Sequence, residues 1–263
     1  MLPKSCFSTL GCHDYPLERI IGTAKKFSVG SLEFRGIGGI LDNRKIPEFS
    51  SDKISGTRRL LGEAGIKVAC IGTSCSFHDP SKLSDALDGG IFAASAAASL
   101  GCPYIRVFGN RITGDREEGI RRVADGIAAL MRNIEGTGVT VLLEVHGDFN
   151  TRDSLSAVAD RLSGGRFGLI WDVAHTDPTY GDGWESFLDE FFPLVRHVHI
   201  KDLRRGGGLC LPGDGDLDIR GMISSLARRS FDGCCSLEWE RKWHPEIGPV
   251  EEALSRFVSY RIQ

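Results

Sequence analysis

The chain has 263 residues, 41% of them hydrophobic and 25% charged, with a formal charge of −3 at neutral pH. That length can bury a core without disulfide or metal staples, and the lack of a basic excess removes the electrostatic case for a nucleic-acid or anionic-membrane partner. No apolar run is long enough to span a bilayer, and the N-terminal MLPKSCFSTLGCHDY lacks the apolar core of a signal peptide. Eight scattered cysteines without a CxxC read as reduced thiols, several of them small core residues, in a cytoplasmic protein.

Short β-like runs alternate with helical stretches along the whole chain. KSCFSTL precedes a helix over about Pro16–Phe27, GSLEFRG precedes Lys53–Ala64, IKVACIG precedes Lys82–Leu100, and YIRVFGN precedes Arg116–Glu135. VTVLLEVHG then precedes Arg152–Leu162, FGLIWDVAH precedes Gly183–Phe191, VRHVHIKD precedes Ile219–Arg229, and CCSLEWE precedes Pro249–Val258. Gly65, Gly101, Gly138, Gly164 and Gly233 stand at helix-to-strand returns, where a left-handed residue or a tight turn is needed. Eight strand–helix units over this length predict an α/β fold: one (β/α)8 TIM barrel domain over residues 1–263. A doubly wound open sheet is the alternative, but its glycine-rich first turn is missing from LGCHDYP. The GxGG in FRGIGGI reads as a loop.

Strand parity assigns the polar groups to one end. Successive strand residues face opposite sides, so Thr140, Leu142, Glu144 and His146 share a face, as do Gly168, Ile170 and Asp172. Val195, His197, His199 and Lys201 share another, and so do Ser236, Glu238 and Glu240. The larger apolar residues mostly fall opposite, toward the helices. Glu144, Asp172, His199 and Glu238 therefore converge at the C-terminal ends of four consecutive strands, where such barrels carry their active sites. Burying these groups unpaired would cost several kcal/mol. One divalent metal ion removes that cost, and a mixed carboxylate–imidazole set suits Mn2+, Mg2+, Co2+ or Zn2+. The competing structural reading is a salt-bridge network at the rim.

LLEVHG, WDVAH, VHIKD and SLEWERKWHPE, in this order on successive strands, together resemble the xylose isomerase-like barrel superfamily. Within it they are most similar to the sugar phosphate isomerase/epimerase branch, which includes ketose 3-epimerases, hydroxypyruvate isomerase and inosose dehydratase. The resemblance runs roughly from Glu33 to the C-terminus. It implies metal ligation by Glu144, Asp172, His199 and Glu238, with Glu144 and Glu238 also serving as acid and base. It implies a substrate contact at His175, and Glu33 and Arg35 of LEFRG fit the acidic and the basic residue that the family tends to carry on its second strand; with Glu240 they are further candidate substrate-binding residues.

The implied chemistry is a metal-assisted proton transfer on an α-hydroxycarbonyl, as in an isomerase or epimerase of a sugar, sugar phosphate or polyol derivative. A metal-dependent lyase is the near rival, and a DNA-repair endonuclease on the same barrel is a distant one. The endonuclease needs further ligands on the third and fourth strands, which here end IGTS and FGNR. The partner is a small carbohydrate, and a homodimer or homotetramer follows by analogy alone.

Other residues admit two readings. Lys201 holds a substrate oxygen or pairs with a carboxylate such as Glu240. Arg106 contacts substrate or belongs to an interior ion pair. His146 is a further pocket residue beside Glu144, while His197, one step deeper than His199, reads as a hydrogen-bonded supporting residue. Asp202 is a turn residue or a site residue. The loop RRGGGLCLPGDGD permits a phosphate cradle but reads more simply as an ordinary loop over the site. Trp243 and His244 fall in a mouth loop, and Trp171 and Trp239 belong to the core between barrel and helices.

Overall fold

The structure, a computed structural model, describes residues 3–162 and 165–260. Valine-, isoleucine- and cysteine-rich runs form the strands β1 (Lys4–Ser8), β2 (Ser31–Phe34), β3 (Lys67–Ser76), β4 (Tyr104–Phe108), β5 (Thr140–Glu144), β6 (Phe167–Asp172) and β7 (Val195–Ile200). A short hairpin of β8 (Asp202–Arg204) and β9 (Gly208–Cys210) follows, and β10 (Cys234–Leu237) completes the set. Eight of these, all but the hairpin, pair in parallel into a closed barrel in the order β1-β10-β7-β6-β5-β4-β3-β2. Closure gives each barrel strand a partner on both sides.

Around the barrel run α1 (Leu17–Lys26), α2 (Ile54–Glu63), α3 (Leu83–Leu100), α4 (Arg116–Asn133), α5 (Arg152–Arg161), α6 (Val173–Tyr180), α7 (Glu185–Phe191), α8 (Ile219–Arg228) and α9 (Val250–Phe257). All but α6 match the predicted helices to within two residues at each end. Caps explain the sharp starts of three: Asp115, Thr151 and Asp218 accept from the backbone N–H groups of Glu118, Ser154 and Gly221.

The sequence reading missed α6, running FGLIWDVAH on as a strand. The strand stops at Asp172 because its carboxylate caps a new helix, accepting from Ala174 and His175 N–H at 3.0 Å each. The β8–β9 hairpin was also missed, lying in the segment read as a loop. Of the predicted return glycines, Gly65, Gly101 and Gly138 do take positive φ, and Gly164 lies outside the described residues. Gly233 is different. The left-handed position after α8 is taken by Ser230 at φ 56, and Gly233 serves a close approach, since a Cβ there would stand 2.5 Å from the Arg196 carbonyl oxygen.

The expected parity holds. Leu169, Trp171, Leu237 and Trp239 are buried in the apolar ring between barrel and helices. Inside the barrel the apolar cluster is small: Cys70, Leu142 and Ile170, with Tyr104 against it. The cysteines are unpaired, six of them buried, with Cys210 and Cys234 half-buried. Among the described residues, no helix is long and apolar enough to cross a membrane.

Candidate metal centre

Four adjacent strands end at one mouth, and each sends in one ionisable group. Ligand atoms of Glu144 (end of β5), Asp172 (end of β6), His199 (β7) and Glu238 (just after β10) all lie within 4.8 Å of one another, and all four residues are buried. Register sets this up, because Asp172 pairs with His199 and Ser236 pairs with His199, so the reactive ends stand level. His199 is the centre of the set. Its Nδ1 is 3.4 Å from Glu238 Oε2, 3.6 Å from Asp172 Oδ2 and 3.7 Å from Glu144 Oε2.

The ring is aimed by Glu33 of β2, fully buried across the barrel. Glu33 Oε2 takes His199 Nε2 at 3.0 Å and His197 Nε2 at 2.9 Å. Glu33 engages Nε2 of His199 and turns Nδ1 toward the three acids. Burial opposes a charged ring there, but Glu238 and Glu33 outweigh it and raise the imidazole well above its usual range, so a divalent ion at Nδ1 would take the place of a proton. Nδ1 has no hydrogen-bond partner among the described residues. His197 is thus the supporting residue expected.

Two cations enter the same space. Arg106 Nη1 donates to Glu144 Oε2 at 2.7 Å and lies 3.8 Å from Glu238 Oε1. Its Nη2 donates to the Thr73 carbonyl at 2.8 Å. Lys201 Nζ is 2.8 Å from Asp172 Oδ2, donates to Glu238 Oε2 at 2.6 Å, and also contacts Glu240. Of the paired readings for Arg106 and Lys201, the structure builds the ion pairs, and Lys201 does engage Glu240. Arg35 lies beside them, donating to Ser74 Oγ at 2.9 Å. Gly72 makes room for both arginines, since a Cβ there would meet Arg35 Cδ at 2.9 Å and Arg106 Nη2 at 3.2 Å.

The acids are therefore not wholly unpaired, as the sequence argument had supposed. Even so, five carboxylates (Glu33, Glu144, Asp172, Glu238, Glu240) face three permanent cations (Arg35, Arg106, Lys201), an excess of two negative charges that only a proton on His199 reduces. An imidazole nitrogen without a hydrogen-bond partner, facing three carboxylates in a cluster that is acidic as a whole, fits a divalent ion in both donor type and charge.

The electrostatics separate the two outer glutamates. Burial pushes the Glu144 carboxyl up, and Glu238 adds to that against the pull of Arg106. Burial acts on Glu238 in the same sense, but His199 and Lys201 outweigh it and hold that carboxyl down. Glu33 and Asp172 are desolvated too, yet His199 and His197 on one, and Lys201 and His175 on the other, keep both well below the usual range.

His146 and His175 sit just outside, their rings edge-to-face at 4.1 Å. Burial lowers both imidazoles. With Glu144 they make a second close group of ligand-type atoms. Asn150 Nδ2 holds the His175 carbonyl at 3.1 Å. Thr73 and Ser74, which orient the two arginines, escaped the sequence reading. Hydroxyl residues in IGTS carry no periodic or charge signal.

The loop after β7 is built without a free cradle. Asp202 clasps it, accepting from Gly213 and Gly215 N–H through Oδ2 and from Leu203 and Leu217 N–H through Oδ1. Arg205 is committed to Asp177 and Asp182, and Arg204 Nε to the Asp214 carbonyl. The loop reading stands over the phosphate one. His244 is tied to Glu246 at 3.2 Å, and Trp243 is exposed.

An inosose dehydratase of Serratia proteamaculans is 27% identical over 150 residues, 48% of this chain and 49% of that protein. A putative hydroxypyruvate isomerase of Streptomyces coelicolor is 26% identical over 161 residues, 56% of each. The matched stretch thus spans about half the length of these curated relatives. A crystal structure described as IOLI protein with a bound zinc atom superposes with a TM-score of 0.80 at 18% identity, covering 98% of this chain and 96% of that one, a likeness of fold. The sequence profile of the xylose isomerase-like TIM barrel family matches residues 28–260. With the closed parallel barrel and its match over nearly the whole length, the chain belongs to the xylose isomerase-like TIM barrel family.

Proposed function

We propose that this chain is a divalent-metal-dependent isomerase or epimerase of a sugar, sugar phosphate or polyol derivative. The observation that carries the reading is the aim of His199: Nε2 fixed by Glu33, Nδ1 unpartnered and converging with three buried carboxylate groups. Glu144, Asp172, His199 and Glu238 hold the ion in this reading, and a relative of the same fold is described with a bound zinc atom. Bound there, the ion supplies Lewis-acid polarisation of a carbonyl and its neighbouring hydroxyl.

The chain's own groups do the rest. Glu144 and Glu238 stand at the two ends of the ligand row, separated by β6 and β7, so a substrate between them meets a carboxylate on each side. One takes the proton from the carbon next to the carbonyl, and the other returns a proton to the opposite face or to the neighbouring atom. Arg106 steadies Glu144, and Lys201 steadies Glu238 and Asp172. These contacts keep each acceptor oriented and limit the charge that accumulates as protons move. His175 and His146 border the mouth and offer hydrogen bonds to substrate hydroxyls. Arg35 and Glu33 act through the groups they position.

A second reading is a lyase, favoured by the relatives named inosose dehydratase. It begins with the same proton removal and continues with cleavage of the neighbouring C–O bond, the hydroxyl leaving as water with a proton from a protonated glutamate. Incubating the metal-loaded protein in D2O with ketoses, inososes and hydroxypyruvate separates the two. Deuterium incorporated at carbon without loss of water supports the isomerase; stoichiometric dehydration moves the assignment to the lyase. No exchange and no turnover of any of them, with the metal bound, removes the reading.

A further inference from the structure

The opposite end of the barrel holds a second cavity, remote from the mouth. Five strands give it their first residue: Lys4 of β1, Ser31 of β2, Lys67 of β3, Tyr104 of β4 and Cys234 of β10. The last turns of α2 and α3 close one side. Its volume, about 400 Å³, falls in the range of small-molecule sites. None of Glu144, Asp172, His199 and Glu238 lines it.

Its chemistry is layered. The wall is apolar, with Leu61, Ile66 and Val68. The outer edge carries three cations, Lys4, Arg58 and Lys67, against one carboxylate among the described lining residues, Asp232. Lys4 Nζ donates to the Asp232 carbonyl and Arg58 Nη1 to the Ser99 carbonyl, both neutral partners, so neither charge is cancelled by its hydrogen bond. The C-terminal ends of α2 and α3 add roughly half a negative charge each. Together with Asp232 they offset about two of the three cations, and the edge stays net positive.

The inner end is His197. Its Nε2 is held by Glu33, which leaves Nδ1 as an acceptor. That atom is buried without a hydrogen-bond partner among the described residues. His197 itself is fully buried and borders the cavity at its inner end, so its ring reports on what occupies that end.

We propose that this cavity is a second binding site, for a small molecule with an apolar body whose inner end lies against His197 and with a carboxylate or phosphate at the Lys4–Arg58–Lys67 edge. The site is independent of the reading given for the mouth.

Three probes of one shape test it on the full chain: 4-hydroxybenzoate, 4-hydroxyphenyl phosphate and the neutral 4-hydroxybenzyl alcohol, each titrated while the ring nitrogens of His197 are followed by NMR. Saturable binding of at least one anion, with the His197 signals moving, is the expected result, and which anion binds identifies the charged group. Lys4→Ala/Lys67→Ala, two exposed positions, should weaken that anion at least about tenfold, the loss of one or both charge-assisted contacts, and leave divalent-ion binding at the mouth unchanged. Three results overturn the proposal: no saturable binding of either anion at millimolar concentration, equal binding of the alcohol or to the double variant, or binding that leaves His197 unmoved.

Discussion

The inside of the barrel and the ring around it are equally dry but opposite in chemistry. The ring packs Trp171, Phe187, Leu237, Trp239 and dozens of other apolar side chains between strands and helices. The interior holds Glu33, Arg106, Asp172, His197, His199 and Lys201, all at most 2% exposed, with an apolar cluster of only three fully buried residues below them. Burying apolar area stabilises in proportion to that area. A buried ion pair roughly breaks even against its own desolvation. The ring therefore accounts for the fold, while the interior is a desolvated charge array that contributes little to stability. That contrast separates the residues that keep the chain folded from those available for chemistry.

Four experiments can break or sharpen it. The largest effect belongs to the interior. Glu144→Gln keeps an acceptor for Arg106 but loses the charge, so turnover should fall on the order of 10³-fold with the circular dichroism spectrum retained. Full activity would show that proton transfer lies elsewhere.

Trp171→Ala attacks the ring, where the indole stacks on Phe187 at 5.7 Å and lies 6.1 Å from Trp184. Urea unfolding should register a loss of about 3–5 kcal/mol. A loss below about 1 kcal/mol would mean that the ring is not the stabilising layer.

Glu33→Gln is intermediate. It removes the carboxylate that aims His199, so calorimetric titration with Mn2+ or Zn2+ should show affinity weakened about 10- to 100-fold. In the parent protein, the ion at a hundred times its Kd should add about 2.7 kcal/mol of stability, reversed by a chelator. If neither ion binds the parent protein, the metal centre falls.

Smallest is Asp202→Ala. It deletes the clasp of the loop after β7, costing about 1 kcal/mol and speeding amide exchange at Gly213, Gly215 and Leu217. Unchanged exchange at these three amides would place the loop's order elsewhere.

Much of this was legible in the chain. The eight strands, their alternating faces and the eight helices other than α6 follow from hydrophobic period and glycine placement, because those signals are local. So does the convergence of Glu144, Asp172, His199 and Glu238, since parity and strand order fix which end a side chain reaches. Helix α6 was hidden by Pro178 and by the lack of an amphipathic repeat in VAHTDPTY. Its start depends on a single capping carboxylate. The return after α8 misled because a serine, not a glycine, takes the left-handed turn.

What local sequence determined is the barrel, its polar mouth and the kinds of groups gathered there, all consequences of a period-two pattern repeated eight times. Tertiary structure alone decided how those groups pair: Glu33 reaching across from β2 to bind two histidines of β7, Arg106 settling on Glu144, and Lys201 spanning Asp172, Glu238 and Glu240. The reason is physical. These partners stand 29 to 166 positions apart or on strands brought together only by closure, and in a desolvated interior the choice of partner follows distance in space, which residue order does not encode.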